Sequence, residues 1–171
     1  MSHFVAQELA GFLKQTSLFA ILGDDLASRL AERATMQRFS LGETIISEGE
    51  KGQFAWLIFS GRVRVLKRLD SGRQVTLGTQ SIGELFGEQA ILTDSPRSAT
   101  VRAAEDVVLF RIDRVDFLEM LDHSENLRQY FDRFMHERAI QDFLRTQTFL
   151  GKLRAKDVTS LLDQLELREF A

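Results

Sequence analysis

The stretch LFGEQAILTDSPRSATVRA, residues 85–103, places Gly87 and Glu88 after two apolar residues, follows them with a short apolar run, and ends on Pro96, Arg97 and Ser98. Pro96 is the chain's single proline. Two readings compete: a charged loop between strands, or a small-anion site made of backbone amides and an arginine. If the segment is a strand end that passes through Gly87 into one helical turn, the free amides near Glu88, Gln89 and Ala90 face outward together and attract an anion. Glycine at 87 lets backbone approach a ligand closely. Arg97 returns to the same place after a loop, where its fork of donors neutralises a phosphate, and Ser98 adds a hydroxyl donor. Glu88 accepts only when ionised and is repelled by phosphate, so its task in such a site is to take hydrogen bonds from a neighbouring hydroxyl of the ligand. The plainer alternatives are a carboxylate that stabilises a helix start and a surface arginine after a proline. A pocket arginine awaiting a ligand is also expected to contribute little to the fold by itself.

Outward from this stretch, residues 36–112 break into short runs bounded by glycine: MQRFS, ETIIS, FAWLIFS, RVRVLKRL, RQVTLGT, SATVRA and VVLFRI. Val63, Val65 and Lys67 alternate with Arg62, Arg64 and Leu66 as on a half-buried strand, and DSGR at 70–73 is a tight hairpin signal. About eight short strands with frequent turns predict a small antiparallel jelly-roll barrel over 36–112. Helical periodicity flanks it on both sides. Before it, over 7–34, Leu9, Phe12, Leu13, Leu26 and Leu30 recur at helical spacing, with Asp24 and Asp25 placed as caps; after it, over 114–145, Phe117, Leu121, Leu127, Phe131 and Phe134 do the same. The fold class is α+β.

Composition narrows the function. A net charge of −3 gives no reason to expect a polyanionic partner, and RAKDVTSLLDQLELREFA, near the end, lacks a glycine turn followed by a recognition-type helix, so no nucleic-acid contact is expected. The chain has no cysteine, which excludes disulfides and thiolate metal sites and makes the cytoplasm the default compartment. His3, His123 and His136 are scattered and read as solvated, and no paired carboxylates stand with a nucleophile or metal motif, so neither catalysis nor a metal is expected. No apolar stretch is long enough for a membrane span, and the amphipathic start is not a signal peptide.

Phe86-Gly87-Glu88, Ala90-Ile91 and Pro96-Arg97-Ser98-Ala99-Thr100-Val101 resemble the phosphate-binding cassette of the cyclic-nucleotide-binding domains found in catabolite-activator regulators, cyclic-nucleotide-dependent kinases and gated channels. Glycines in IISEGEKGQFAWLIFSGRVRV, residues 45–65, fall in step, and the resemblance covers about residues 16–140. It implies a jelly roll with a helix before it and two after it, and cAMP or cGMP as ligand with no other cofactor. Glu88 would bind the ribose 2′-hydroxyl, Arg97 and Ser98 the cyclic phosphate, and the amides of Gly87, Gln89 and Ala90 would complete the nest, with Phe86 and Ala99 among the contacting positions. Val75 and Leu77 either line the base or pack in the core. Phe131, Phe134 and Met135 form either a lid over the base or an ordinary core stripe. Gln141 and Asp142 stand where catabolite activators place hydroxyl residues against adenine, so base identity does not carry over.

The tail TFLGKLRAKDVTSLLDQLELREFA, residues 148–171, repeats the grammar of residues 18–40: an apolar-Phe pair, a link, an amphipathic helix and a closing Arg and Phe. Either two amphipathic helices merely look alike, or a second repeat starts in 146–171 after a first domain of 1–145 and the chain is cut from a longer protein. Tandem copies of this domain occur in kinase regulatory subunits and in some bacterial ABC exporters of toxins and peptides. The expected function is a ligand-sensing regulatory module that signals through its C-terminal helices to a fused effector such as a transporter. The expected partners are the cyclic nucleotide, that effector or a second repeat beyond Ala171, and a second copy in a homodimer. The alternatives are a domain that has lost its ligand and acts in protein interaction, or the sensor of a transcription regulator.

Overall fold

The computed structural model describes residues 3–16 and 24–147. The chain divides into two compact units between Phe131 and Asp132. In the first, α1 (His3–Gln15) and α2 (Asp24–Arg33) precede eight strands, β1 (Thr35–Phe39), β2 (Thr44–Ile46), β3 (Phe54–Ser60), β4 (Val63–Arg68), β5 (Gln74–Gln80), β6 (Leu85–Phe86), β7 (Thr100–Ala103) and β8 (Val107–Asp113). The short helix α3 (Glu88–Leu92) separates β6 from β7, and α4 (Arg114–Asp122) follows β8. The last helix, α5 (Glu125–Gln147), runs across the boundary, and its residues 132–147 are the described part of the second unit. The repeat expected in the tail lies outside the described residues.

The strands form two four-stranded antiparallel sheets in jelly-roll order, β1-β8-β3-β6 and β2-β7-β4-β5. They do not close into the expected barrel: among the described residues no ladder joins one sheet to the other, and the one isolated bridge links Lys51 to Pro96 in loops. The sheets meet through side chains instead. Trp56 and Ile58 of β3 and Leu109 of β8 pack with Ile46, Val63 and Val101 from the facing sheet. All of Ala55–Ile58 is buried, because β3 is covered on both faces. Phe12 of α1 meets Phe59 edge-on at 5.0 Å, on the side of the sheet away from Trp56. Each such ring contact adds about 0.5–1.5 kcal/mol to the burial itself.

Two local expectations change. Asp24 and Asp25 lie within the first turn of α2 rather than before it, where their charge still favours the positive helix end. The alternation in β4 holds for Val63 and Arg64 and then fails: Val65 pairs with Gly78 but Leu66 with Thr76, so Leu77 is an extra, bulged residue and Leu66 is buried. The hairpin at 70–73 forms as read, with Gly72 at φ 78° and Leu69 N–H donating to the Arg73 carbonyl at 2.8 Å. His123, exposed as expected, ends α4 with its ring Nδ1 2.7 Å from the Glu119 carbonyl; His136 is exposed too.

Helices α2 and α4 are tied by charge. Arg29 and Arg33 reach Glu119, the latter at 2.8 Å, and Arg33 also meets Asp116 at 2.7 Å. The Arg33 hydrogen bond outweighs burial and, with the charges of Arg29, Arg33 and His123, holds the Glu119 carboxyl below the ordinary range. A carboxyl depressed in this way contributes stability above its unfolded value of about 4.3 and loses it as pH falls through the folded value. Urea midpoints should therefore drop on acidification below about pH 4, and Glu119→Gln should lower the midpoint at neutral pH while removing part of that drop. An unchanged acid slope in Glu119→Gln would contradict this account.

Candidate ligand site

The site is built where β6 ends. Gly87 takes φ 81°, a left-handed conformation that turns the chain from β6 directly into α3. A side chain there would also collide: a Cβ would lie 2.7 Å from Arg97 Nη1 and 2.9 Å from Ile46 Cδ1. The chain thus passes from the end of β6 through Gly87 into α3, with the Arg97 guanidinium against Gly87.

Arg97 is only 4% exposed. Its guanidinium donates from Nη1 to the Gly87 carbonyl and from Nη2 to the Phe54 carbonyl at 2.6 Å, and lies over the Phe54 ring at 5.3 Å. Its main chain is held as well. Arg97 N–H donates to the Glu50 carbonyl at 2.7 Å, and Gly49 N–H donates to the Arg97 carbonyl at 2.9 Å. Gly52 closes the arrangement, because a Cβ there would stand 2.4 Å from Ala90 Cβ and 3.3 Å from Arg97 Nη1. Burial pushes the guanidinium below its ordinary pKa, against the opposing pull of the Glu88 and Glu50 carboxylates. Glu88 is fully buried beside it.

The other expected residues separate into groups. Ser98 is exposed, and its hydroxyl donates to Gln89 Oε1 at 2.8 Å. Ala99 and Gln89 are half-buried next to it. Phe86 turns its ring into the core and Ala90 packs on the Gly52 backbone, so what these two offer a ligand is main chain rather than side chain. Val75 pairs with Lys67, whose ammonium touches the Ser98 carbonyl, and this brings it near the site; Leu77 is the buried bulge. Phe131 is buried edge-on against Phe117 at 5.2 Å. Phe134 and Met135 belong to the second unit, and the side chains of Gln141 and Asp142 lie outside the described ones. Among the described residues no cluster of His, Cys, Asp or Glu could hold a metal, and no helix is long and apolar enough to cross a membrane.

Sequence reading missed the partners of Arg97: Glu50, Gly52 and Phe54. The glycines of EGEKGQ were the available signal, since Gly49 and Gly52 are where the β2–β3 loop comes against the arginine.

The arrangement is that of a known family. The family model of the cyclic nucleotide-binding domain matches residues 36–124, just over half of the chain, and the chain belongs to that family. The cGMP-dependent protein kinase 2 of Homo sapiens is 30% identical over 131 residues, 75% of this chain and 17% of the kinase. A cAMP-dependent protein kinase regulatory subunit of Yarrowia lipolytica is 30% identical over 136 residues, 77% of this chain and 35% of the subunit. The chain therefore spans well under half the length of these relatives. Among solved structures, the catabolite activator protein of Thermus thermophilus superposes with TM-score 0.66 at 26% identity, over 84% of this chain and 62% of that one. The regulatory domain of Toxoplasma gondii protein kinase A, solved with cAMP, gives 0.73 at 18% identity over 78% and 51%, a likeness of fold.

Because the guanidinium serves two backbone carbonyls, Arg97 is tied into the fold, contrary to the expectation that it contributes little. Arg97→Ala should destabilise the protein by about 1–3 kcal/mol by stranding buried acceptors, and Gly52→Ala should destabilise it too through the Ala90 clash. Urea unfolding measures both; a midpoint for Arg97→Ala equal to wild type would refute the structural role.

Proposed function

We propose that this chain is a regulatory, non-catalytic and cytoplasmic module that binds cAMP or cGMP between the 87–90 turn and Arg97-Ser98, and passes the event to a fused effector. The observation that carries this reading is the burial of Arg97. Burial lowers the guanidinium's pKa despite the nearby Glu88 and Glu50 carboxylates, and its hydrogen bonds end on neutral carbonyls, so an anion at the neighbouring amides of α3 would stabilise its charge further. Buried Glu88 beside it supplies an acceptor for a ligand hydroxyl, and a cyclic nucleotide carries one anionic phosphate and a free 2′-hydroxyl. The family of the chain supports the same ligand class.

The response leaves through the helices. Arg114, at the start of α4, donates its N–H to the Gln53 carbonyl at 2.8 Å and pairs with Asp94 at 3.2 Å, in the loop that leads to Arg97. Ligand that orders this loop biases α4, by no more than its differential affinity for the two arrangements. The tail's likeness to residues 18–40 supports an effector reached through a second repeat, with the tandem domains of an ABC exporter as one such setting.

Thermal unfolding tests the reading. Cyclic nucleotide at about 100 times its Kd should stabilise the protein by roughly 2.7 kcal/mol, a rise in Tm of about 5–10 °C. The linear 5′-monophosphate should do far less, and Arg97→Lys, which keeps charge but not the fork, should lose most of the shift. If neither cAMP nor cGMP moves the wild-type transition at millimolar concentration, the reading is wrong.

A further inference from the structure

Lys67 stands on β4, and its sequence pattern marks it only as one position in an alternating strand. Its ammonium makes two bonds, to the Ser98 carbonyl at 2.6 Å and to Glu48 Oε1 at 2.8 Å. The second carboxylate oxygen, Glu48 Oε2, accepts from Arg68 N–H at 3.0 Å, and Glu48 N–H donates to Thr100 Oγ1 at 3.1 Å. One carboxylate and one ammonium thus join three segments: the loop after β2, the end of β4, and the chain immediately after Arg97.

The sheet explains why a side chain is needed there. The β4–β7 ladder pairs Val63 with Ala103, Arg64 with Arg102, Val65 with Val101 and Leu66 with Thr100, and stops. Lys67 is the next position along β4, opposite chain that has left the sheet on its way back to Arg97. Ser98 has no ladder partner at that point, and Lys67 Nζ takes its carbonyl instead. The Ser98 hydroxyl is fixed from the other side by Gln89 in the first turn of α3. Burial pushes the Glu48 carboxyl up, yet the Lys67 and Arg68 donors together hold it below the ordinary range, so it is ionised at neutral pH and keeps the ammonium engaged.

We propose that Lys67, locked by Glu48, is a positioning residue of the ligand site: it sets Ser98, and through it the register of Arg97, against the 87–90 turn. The ligand side of this inference rests on the cyclic-nucleotide reading above; the ordering of the loop does not. The Lys67 and Glu48 side chains are 33% and 26% exposed, and a single ion pair at such depth, unlike the network of two arginines on Glu119, adds little to global stability. The effect is therefore local, in residues 97–100 and at the Gly49 amide that donates to the Arg97 carbonyl.

Hydrogen exchange of the protein without nucleotide, compared among wild type, Lys67→Met, Lys67→Arg and Glu48→Gln, tests this directly. Lys67→Met and Glu48→Gln should speed exchange of the Arg97 and Gly49 amides about tenfold, leave β1 and β8 peptides unchanged, and keep the urea midpoint near wild type. Lys67→Arg, which retains donors for both partners, should exchange like wild type. Calorimetric titration with cAMP and cGMP should show affinity about five- to tenfold weaker in Lys67→Met and near wild type in Lys67→Arg. Unchanged exchange at 97–100 in Lys67→Met, or Lys67→Arg as fast as Lys67→Met, overturns the ordering of the loop; faster exchange with undiminished nucleotide affinity overturns the positioning role. A wild-type protein that binds neither nucleotide but shows the exchange pattern refutes the ligand reading and leaves the ordering of the loop by Lys67 standing.

Discussion

The guanidinium of Arg97, donating to the carbonyls of Gly87 and Phe54 and lying over the Phe54 ring, is the contact around which the site is arranged. A buried cation is costly unless every neighbour accommodates it, and the surrounding sequence does so residue by residue. Gly87 supplies a left-handed turn with no side chain in the guanidinium's way, Gly52 lets the β2–β3 loop close on Ala90, and the main chain of Arg97 is clipped to Gly49 and Glu50. Each of these features has a structural reason before any ligand is considered.

The jelly roll makes that arrangement reachable. Its strand order sets the β2–β3 loop, the end of β6 and the approach to β7 at one place, although they lie far apart in the chain. Rigid sheets then hold loops that carry the chemistry, the common division of labour between scaffold and site. The β4–β5 hairpin joins through Lys67, whose side chain holds the loop beyond the point where the ladder ends. One polar network thus touches both the chain after Arg97 and the strand that pairs Lys67 with Val75.

What was legible in the sequence was local. Glycine-bounded alternating runs mark strands because turns and pleats are short-range features, and the turn at Gly87 from β6 into α3 is readable because a few adjacent residues contain it. What was hidden depended on distant partners. A run of short strands does not say whether the sheets close, and the bulge at Leu77 that buries Leu66 is a property of two strands together. The bonds of Arg33 to Asp116 and Glu119 span 83 and 86 residues, and that of Lys67 to Ser98 spans 31, distances over which no periodicity speaks. Arg97 looked like a residue that waits for a ligand because its bonds to Phe54 and Gly87 were invisible in one dimension.

The most direct measurement of the central claim is an NMR titration that follows the backbone amides of Gly87, Glu88, Gln89 and Ala90 and the Nε–H of Arg97 as cyclic nucleotide is added. The account predicts that these five signals move furthest and saturate together, with the Lys67 ammonium region responding less. Shifts that cluster elsewhere in the protein, or an Arg97 Nε–H that stays fixed while nucleotide binds, would contradict it.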